Sequence, residues 1–332
     1  MWQIIGQTRA VSLLECSLKG GSLAHAYLFA GPAHAGKMTL ALNLAQAVNC
    51  DNTESPCGQC VSCQKVVSGH HPDVYIVGLS CQKEKPHVEI GIDQIRELQH
   101  SASLPPFEGK YKVFILDGAE LLSIEAANSL LKTLEEPVGS VIFILLTTNE
   151  HLLPATVVSR CQRVEVFPLA IAEVETALSQ KWGVELSRAK LLARLSRGLL
   201  GWAVSAILDD SLLRQRDEWL TELVDIVGGD YEERFACAAK LATEFSQNRG
   251  TVQDGLNLWL DWWRDLLLAK LGCSDLITNV DQLDTLSQIT GSYSLAQIRV
   301  LINSIQAVKW QLKQNANPRL VLETLMLDIP GV

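Results

Sequence analysis

The chain has 332 residues, 48% hydrophobic and 20% charged, enough apolar material for two or three packed domains and too much for a disordered chain. Its 37 acidic and 28 basic side chains give a net charge of −9, which excludes coating of DNA through bulk positive charge. Only a local basic strip or an assembly then remains as a route to nucleic acid. The longest aliphatic-aromatic run, Val141 to Leu146, is far short of a membrane span. Met1-Trp2-Gln3-Ile4-Ile5 lacks a basic segment followed by a long apolar one, so no export signal and a cytoplasmic location are expected.

In chain order, His25 to Ala30 predicts a strand that leads through a glycine-containing loop into a helix over Met38 to Val48. Further strands are expected at Val74–Val77, Val113–Leu116 and Val141–Leu146, with helices at Ile92–Gln99 and Ser123–Leu134 between them. Short, continuously apolar strands alternating with helices indicate a parallel sheet covered on both faces. After Pro168 no run resembles a buried strand, and helical periodicity persists to the end. Gly198 and Gly201 break Leu186 to Leu208 into two short helices, and Gly228-Gly229 and Cys273 to Val280 read as connectors. The expected architecture is α/β followed by all-α, divided near 168 and again near 210.

Gly31-Pro32-Ala33-His34-Ala35-Gly36-Lys37 follows a strand and precedes a helix, and G-x-x-x-x-G-K fits a phosphate-binding loop. Its backbone N–H groups and the helix N-terminus would cradle phosphates while Lys37 counters their charge. The position that should carry a Mg²⁺-binding hydroxyl is Met38, whose thioether cannot serve a hard cation. Thr39 lies roughly 100° further round the helix. A second strand, Val113 to Leu116, ends in Asp117, where a phosphate-loop protein places the acid that reaches Mg²⁺. The base that would polarise water is absent, because position 118 is Gly. Nucleotide binding is expected here without Mg²⁺-assisted hydrolysis.

Four of the nine cysteines fall in the pattern Cys50-x6-Cys57-x2-Cys60-x2-Cys63, while the others, Cys16, Cys81, Cys161, Cys237 and Cys273, are scattered. Four thiolates so spaced can close a tetrahedral structural Zn²⁺ site, with Gly58 relieving the turn. A soft sulfur set also suits an iron–sulfur cluster, but the ferredoxin run needs a Cys-Pro after Cys63 and positions 67 and 68 are Val and Ser. Zinc is the favoured reading. Near the end, Leu256, Trp259, Leu260, Trp263, Leu266 and Leu267 lie on one helix face, and Leu258 and Trp262 add a second apolar side. The first face reads as core, and part of the double-faced surface is expected to meet a neighbouring subunit.

Several segments occur together in one order. They are Ile4-Ile5-Gly6-Gln7, His25-Ala26-Tyr27-Leu28-Phe29, the loop at 31–37, the four-cysteine insert and Asn128-Ser129-Leu130-Leu131-Lys132-Thr133-Leu134-Glu135-Glu136-Pro137. Leu146-Thr147-Thr148-Asn149 and Ser159-Arg160-Cys161 follow. Densely over residues 1 to 168 and thinly beyond, this set resembles the clamp-loader subunits of bacterial DNA polymerase III, of the delta-prime or gamma/tau type. The resemblance implies an AAA+ α/β module with a zinc insert over 1–168, a small helical lid over 169–209 and a helical collar over 210–332. It implies a hetero-pentamer with gamma/tau and delta subunits that uses ATP to place the sliding clamp on primed DNA. By the same resemblance Arg160 is an arginine finger reaching a neighbour's ATP, and Asn149 falls at the sensor-1 position. Gly31, Gly36, Lys37, Thr39 and Asp117 would face ATP or ADP, and Cys50, Cys57, Cys60 and Cys63 would ligate zinc. Met38, Gly118 and a sensor-2-like turn at Gly198 to Ala203 without an Arg point to delta-prime rather than a motor subunit. The end at residue 332, without the extension expected of tau, points the same way.

Overall fold

The structure, a computed structural model, describes residues 2–79, 89–136 and 139–330; Cys81 and Pro137 lie outside the described residues. The chain divides into two compact units, Met1–Trp182 with Gly198–Gly201, and Gly183–Arg197 with Trp202–Val332.

The first unit runs α1 (Thr8–Lys19), β1 (Ala26–Ala30), α2 (Lys37–Asn49), α3 (Val61–Val67), β2 (Val74–Val77), α4 (Ile92–Ala102) and β3 (Lys112–Asp117). It continues with α5 (Ile124–Glu135), β4 (Val141–Thr147), α6 (Ala155–Val158), β5 (Gln162–Glu165) and α7 (Ile171–Trp182). The strands form one five-stranded parallel sheet in the order β2-β3-β4-β1-β5. Because side chains alternate along a strand, each apolar run feeds two cores. Tyr27, Phe29, Ile115, Ile142 and Ile144 pack with Leu14 of α1 and Leu40 and Leu44 of α2. Leu28, Phe114, Phe143 and Leu145 pack on the other face with Ile95 of α4 and Leu130 of α5. The expected strands and helices are all present. Ser123, expected as the first residue of a helix, is instead the cap of α5, its Oγ accepting from Ala126 N at 3.1 Å.

The second unit contains α8 (Leu186–Leu195), most of α9 (Leu200–Leu208), α10 (Ser211–Gly228), α11 (Tyr231–Gln247), α12 (Arg249–Lys270), α13 (Leu283–Ile289), α14 (Leu295–Lys313) and α15 (Pro318–Asp328). Helix α12 packs against α10, α11, α13 and α14. That arrangement corrects the expectation of a second, outward face. Trp262 is fully buried, as are Trp259 and Trp263, and Leu258 packs against the same core. α12 is thus a central helix of this unit, with Asp254, Asn257 and Arg264 on its exposed strip. Among the described residues no helix is long and apolar enough to cross a membrane.

Candidate nucleotide and metal sites

The parallel sheet brings the candidate nucleotide residues to its carboxyl edge, where open α/β sheets place their ligands. Ala30 pairs with Thr147 and Asp117 with Leu146, so Asp117 ends, and Gly31 and Asn149 follow, strands that lie side by side. The loop is shaped by backbone. A Cβ on Gly31 would sit 2.1 Å from the carbonyl oxygen of Val166, and Gly36 has φ +99°, a left-handed value that suits glycine. His34 also has positive φ, and its carbonyl accepts from Gly201 N at 3.0 Å. The N-terminus of α2 carries no side-chain cap, which leaves its N–H groups directed at the loop.

Lys37 is almost fully buried, and its Nζ donates to the carbonyls of Gly31 and Pro32, both at 2.7 Å. Burial pushes its pKa down, opposed by the charges of Glu120 and Asp117. Met38 turns into the apolar cluster with α1 and the sheet, while Thr39 is exposed. Met38 has no hydroxyl to offer Mg²⁺ beside Lys37. Asp117 is exposed at the end of β3, and Gly118 follows in a left-handed turn with φ +76°. Sequence reasoning did not foresee the partner of Glu120. Its Oε1 accepts from the N (3.0 Å) and Oγ1 (2.5 Å) of Thr148, which ties the acidic turn to the end of β4. Burial would raise its carboxyl, but these bonds hold it below the usual range. Asn149 is exposed, and its Oδ1 accepts from His151 N at 3.2 Å.

Arg160 lies in the turn after α6, away from its own phosphate loop in sequence, with about a third of its side chain exposed. Its guanidinium donates to Thr156 O at 2.7 Å and forms an ion pair with Glu135. Two of the sequence segments that carry the resemblance, 128–137 and 159–161, therefore touch through this pair. The arginines that precede the 198–203 turn are committed elsewhere. Arg194 donates to the carbonyls of Asp275 (2.9 Å) and Ile277 (3.2 Å), and Arg197 pairs with Asp261.

The four cysteines converge. Their sulfurs lie within 4.8 Å of one another, with Cys57 and Cys63 Sγ 3.9 Å apart. A tetrahedron of about 2.3 Å zinc–sulfur bonds has edges of about 3.8 Å, so the set fits a metal ion with little adjustment. Cys50 ends α2, Cys60 caps α3, and Gly58 supplies the φ +72° that the turn between them needs. Cys57 Sγ accepts from Gln59 N (3.4 Å) and Cys60 N (3.3 Å), which holds that thiol down to about 6. Cys60 Sγ accepts from Cys63 N at 3.4 Å. Such N–H donors stabilise thiolate charge. Burial pushes the Cys63 thiol up to about 12, so that sulfur needs a cation to ionise.

Two family models match: DNA polymerase III, delta subunit, over residues 6–170, and DNA polymerase III, delta subunit, C terminal, over residues 211–330. DNA polymerase III subunit delta' of Bacillus subtilis is 29% identical over 325 residues, covering 97% of this chain and 95% of that protein. Subunit tau of the same organism is 27% identical over 350 residues, covering 98% of this chain, which spans only 60% of tau. Among solved structures, a gamma subunit-related protein of Thermotoga maritima aligns over 95% of this chain and 98% of its own at 17% identity, with a TM-score of 0.44. With its phosphate-loop α/β unit, metal-capable insert and helical remainder, the chain belongs to the DNA polymerase III clamp-loader family.

Proposed function

We propose that this chain is the delta-prime subunit of its clamp loader, a stator that completes a neighbour's ATPase site without hydrolysing nucleotide itself. The observation that carries the reading is a split within one unit. Met38 is half-buried against the core and Gly118 stands where the water-activating acid belongs, while Arg160 remains partly exposed on a short turn. A fixed guanidinium beside a neighbour's γ-phosphate stabilises transition-state charge. Glu135 holds Arg160 until that phosphate competes for it. Gly31, Gly36, Lys37, Thr39, Asp117 and Asn149 border a site for ATP or ADP, and Cys50, Cys57, Cys60 and Cys63 hold a structural zinc ion. We divide the chain into an AAA+ module (1–168), a helical lid (169–209) and a collar (210–332). The collar joins gamma/tau and delta subunits in a cytoplasmic hetero-pentamer that loads the sliding clamp on primed DNA.

In a reconstituted loader, Arg160→Ala in this chain should lower clamp- and DNA-stimulated ATPase by on the order of 10³ or more, with assembly intact by gel filtration. Unchanged turnover would remove the finger role. A gamma/tau-type motor is the second reading, favoured by the similarity to tau over nearly the whole chain. It requires Thr39 and Glu120 to replace the missing groups. Turnover by an assembly in which this chain supplies the only phosphate loop would establish it.

A further inference from the structure

Helix α2 begins at the phosphate loop and ends at the first metal-capable cysteine. Its core-facing side is mostly apolar, yet Asn43 and Gln46 are buried there. Their amides form a continuous chain. Gln46 Nε2 donates to the carbonyl of Cys63 at 3.0 Å, and Asn43 Nδ2 donates to Gln46 Oε1 at 3.0 Å. Asn43 Oδ1 then accepts from the backbone N–H groups of Gln3 (2.8 Å) and Ile4 (3.0 Å). The polarity is fixed from both ends. A carbonyl at Cys63 can only accept, and the N–H groups of residues 3 and 4 can only donate, so neither amide can be turned round.

The far end of this chain lies against the phosphate loop. A Cβ on Gly36 would meet Ile4 Cδ1 at 3.5 Å, and one on Gly58 in the cysteine turn would meet Gln3 Nε2 at 3.5 Å. Residues 3 and 4 thus lie between the two sites and are held by an acceptor whose orientation is set at Cys63.

We propose that the metal site is a positioning device for the phosphate loop, acting through Gln46 and Asn43 on residues 3 and 4. A metal bound by Cys63 fixes its carbonyl, and that carbonyl fixes both buried amides. Release of the metal frees Cys63, leaves the Gln46 donor buried without an acceptor, and lets the Asn43 amide turn away from Gln3 and Ile4. A buried polar group without a partner is costly enough to drive that rearrangement. The proposal rests on the cysteines being a metal site.

The test uses the full chain labelled with ¹⁵N-isoleucine, loaded with Zn²⁺ and then stripped by a chelator, with zinc content measured in each sample. Amide exchange of Ile4 should quicken on the order of tenfold when zinc leaves. Ile142 and Ile144 in the central strand should not change. In Gln46→Met, which keeps the volume and removes both hydrogen bonds, Ile4 should exchange quickly with zinc still bound, and chelation should add nothing. A chain that takes up no zinc overturns both the metal reading and the proposal. A chain that binds zinc, but whose Ile4 exchange is indifferent to chelation, overturns the relay alone. If Gln46→Met fails to fold, the wild-type comparison still decides.

Discussion

The phosphate loop and the cysteine insert sit at opposite ends of α2 and are built on different principles. The loop has its shape from backbone: Gly31 against Val166, Gly36 in a left-handed turn, Gly201 on His34, and Lys37 folded onto the loop's own carbonyls. Beside it stand Met38 and Gly118, which carry neither a hydroxyl nor a carboxylate. The insert is the reverse, with four convergent sulfurs and little regular structure beyond α3. The loop's form therefore depends on backbone, whereas a metal site has no form apart from its ligands.

If that contrast is right, deletions at the two ends should differ in kind. Cys63→Ala should have the largest effect, abolishing stoichiometric zinc uptake and exposing 50–63 to protease, because a metal site forms only with its fold and lends it several kcal/mol, as an order-of-magnitude estimate. Zinc content and limited proteolysis check it, and an insert still protected under chelation would break the contrast. Gly31→Ala comes next. The added methyl meets the Val166 carbonyl at 2.1 Å, so urea unfolding should show a loss of about 2–3 kcal/mol with zinc retained.

Asp73 extends the side-chain logic beside the insert. Its buried carboxylate accepts from the backbone N–H groups of Phe107 (2.6 Å), Glu108 (2.9 Å) and Gly109 (2.7 Å). Burial alone would raise its pKa, but these donors and His71 hold it below the usual carboxylate value. A depressed native pKa gives stability that is complete above the unfolded value, about 3.9, and is lost as pH falls through the lower native one. Asp73→Asn should cost about 2 kcal/mol at neutral pH and abolish that acid-dependent loss, as urea titrations between neutral and acid pH would show. The smallest effect is expected of Met38→Thr. Removing part of a half-buried thioether side chain costs about 1 kcal/mol, and no turnover should appear, because position 118 still lacks its acid. Measurable hydrolysis from this single change would place the missing chemistry at residue 38 alone.

The continuously apolar strands at 113–116 and 141–146 were legible from composition alone, since buried parallel strands need no alternation. The cysteine cluster was legible because its four sulfurs come from one short stretch of sequence. β5 was not, for it is an edge strand with Val164 its only buried residue and offers no apolar run. Trp262 misled in the other direction. Its place on a second face of α12 suggested contact with a neighbouring subunit, but α10, α11, α13 and α14 pack against that helix and Trp262 is fully buried. Nor could the sequence show that Glu135 meets Arg160 or that Glu120 meets Thr148, because each pair joins separate elements 25 or more residues apart.

The central claim, that this chain acts on a neighbour's nucleotide and not on its own, is tested most directly by two variants in one reconstituted loader. Clamp- and DNA-stimulated ATPase would be measured with Lys37→Ala and with Arg160→Ala, each confirmed to assemble. The account predicts unchanged turnover for Lys37→Ala and a collapse for Arg160→Ala. A collapse with Lys37→Ala beside unchanged turnover with Arg160→Ala would contradict it and make this subunit a motor.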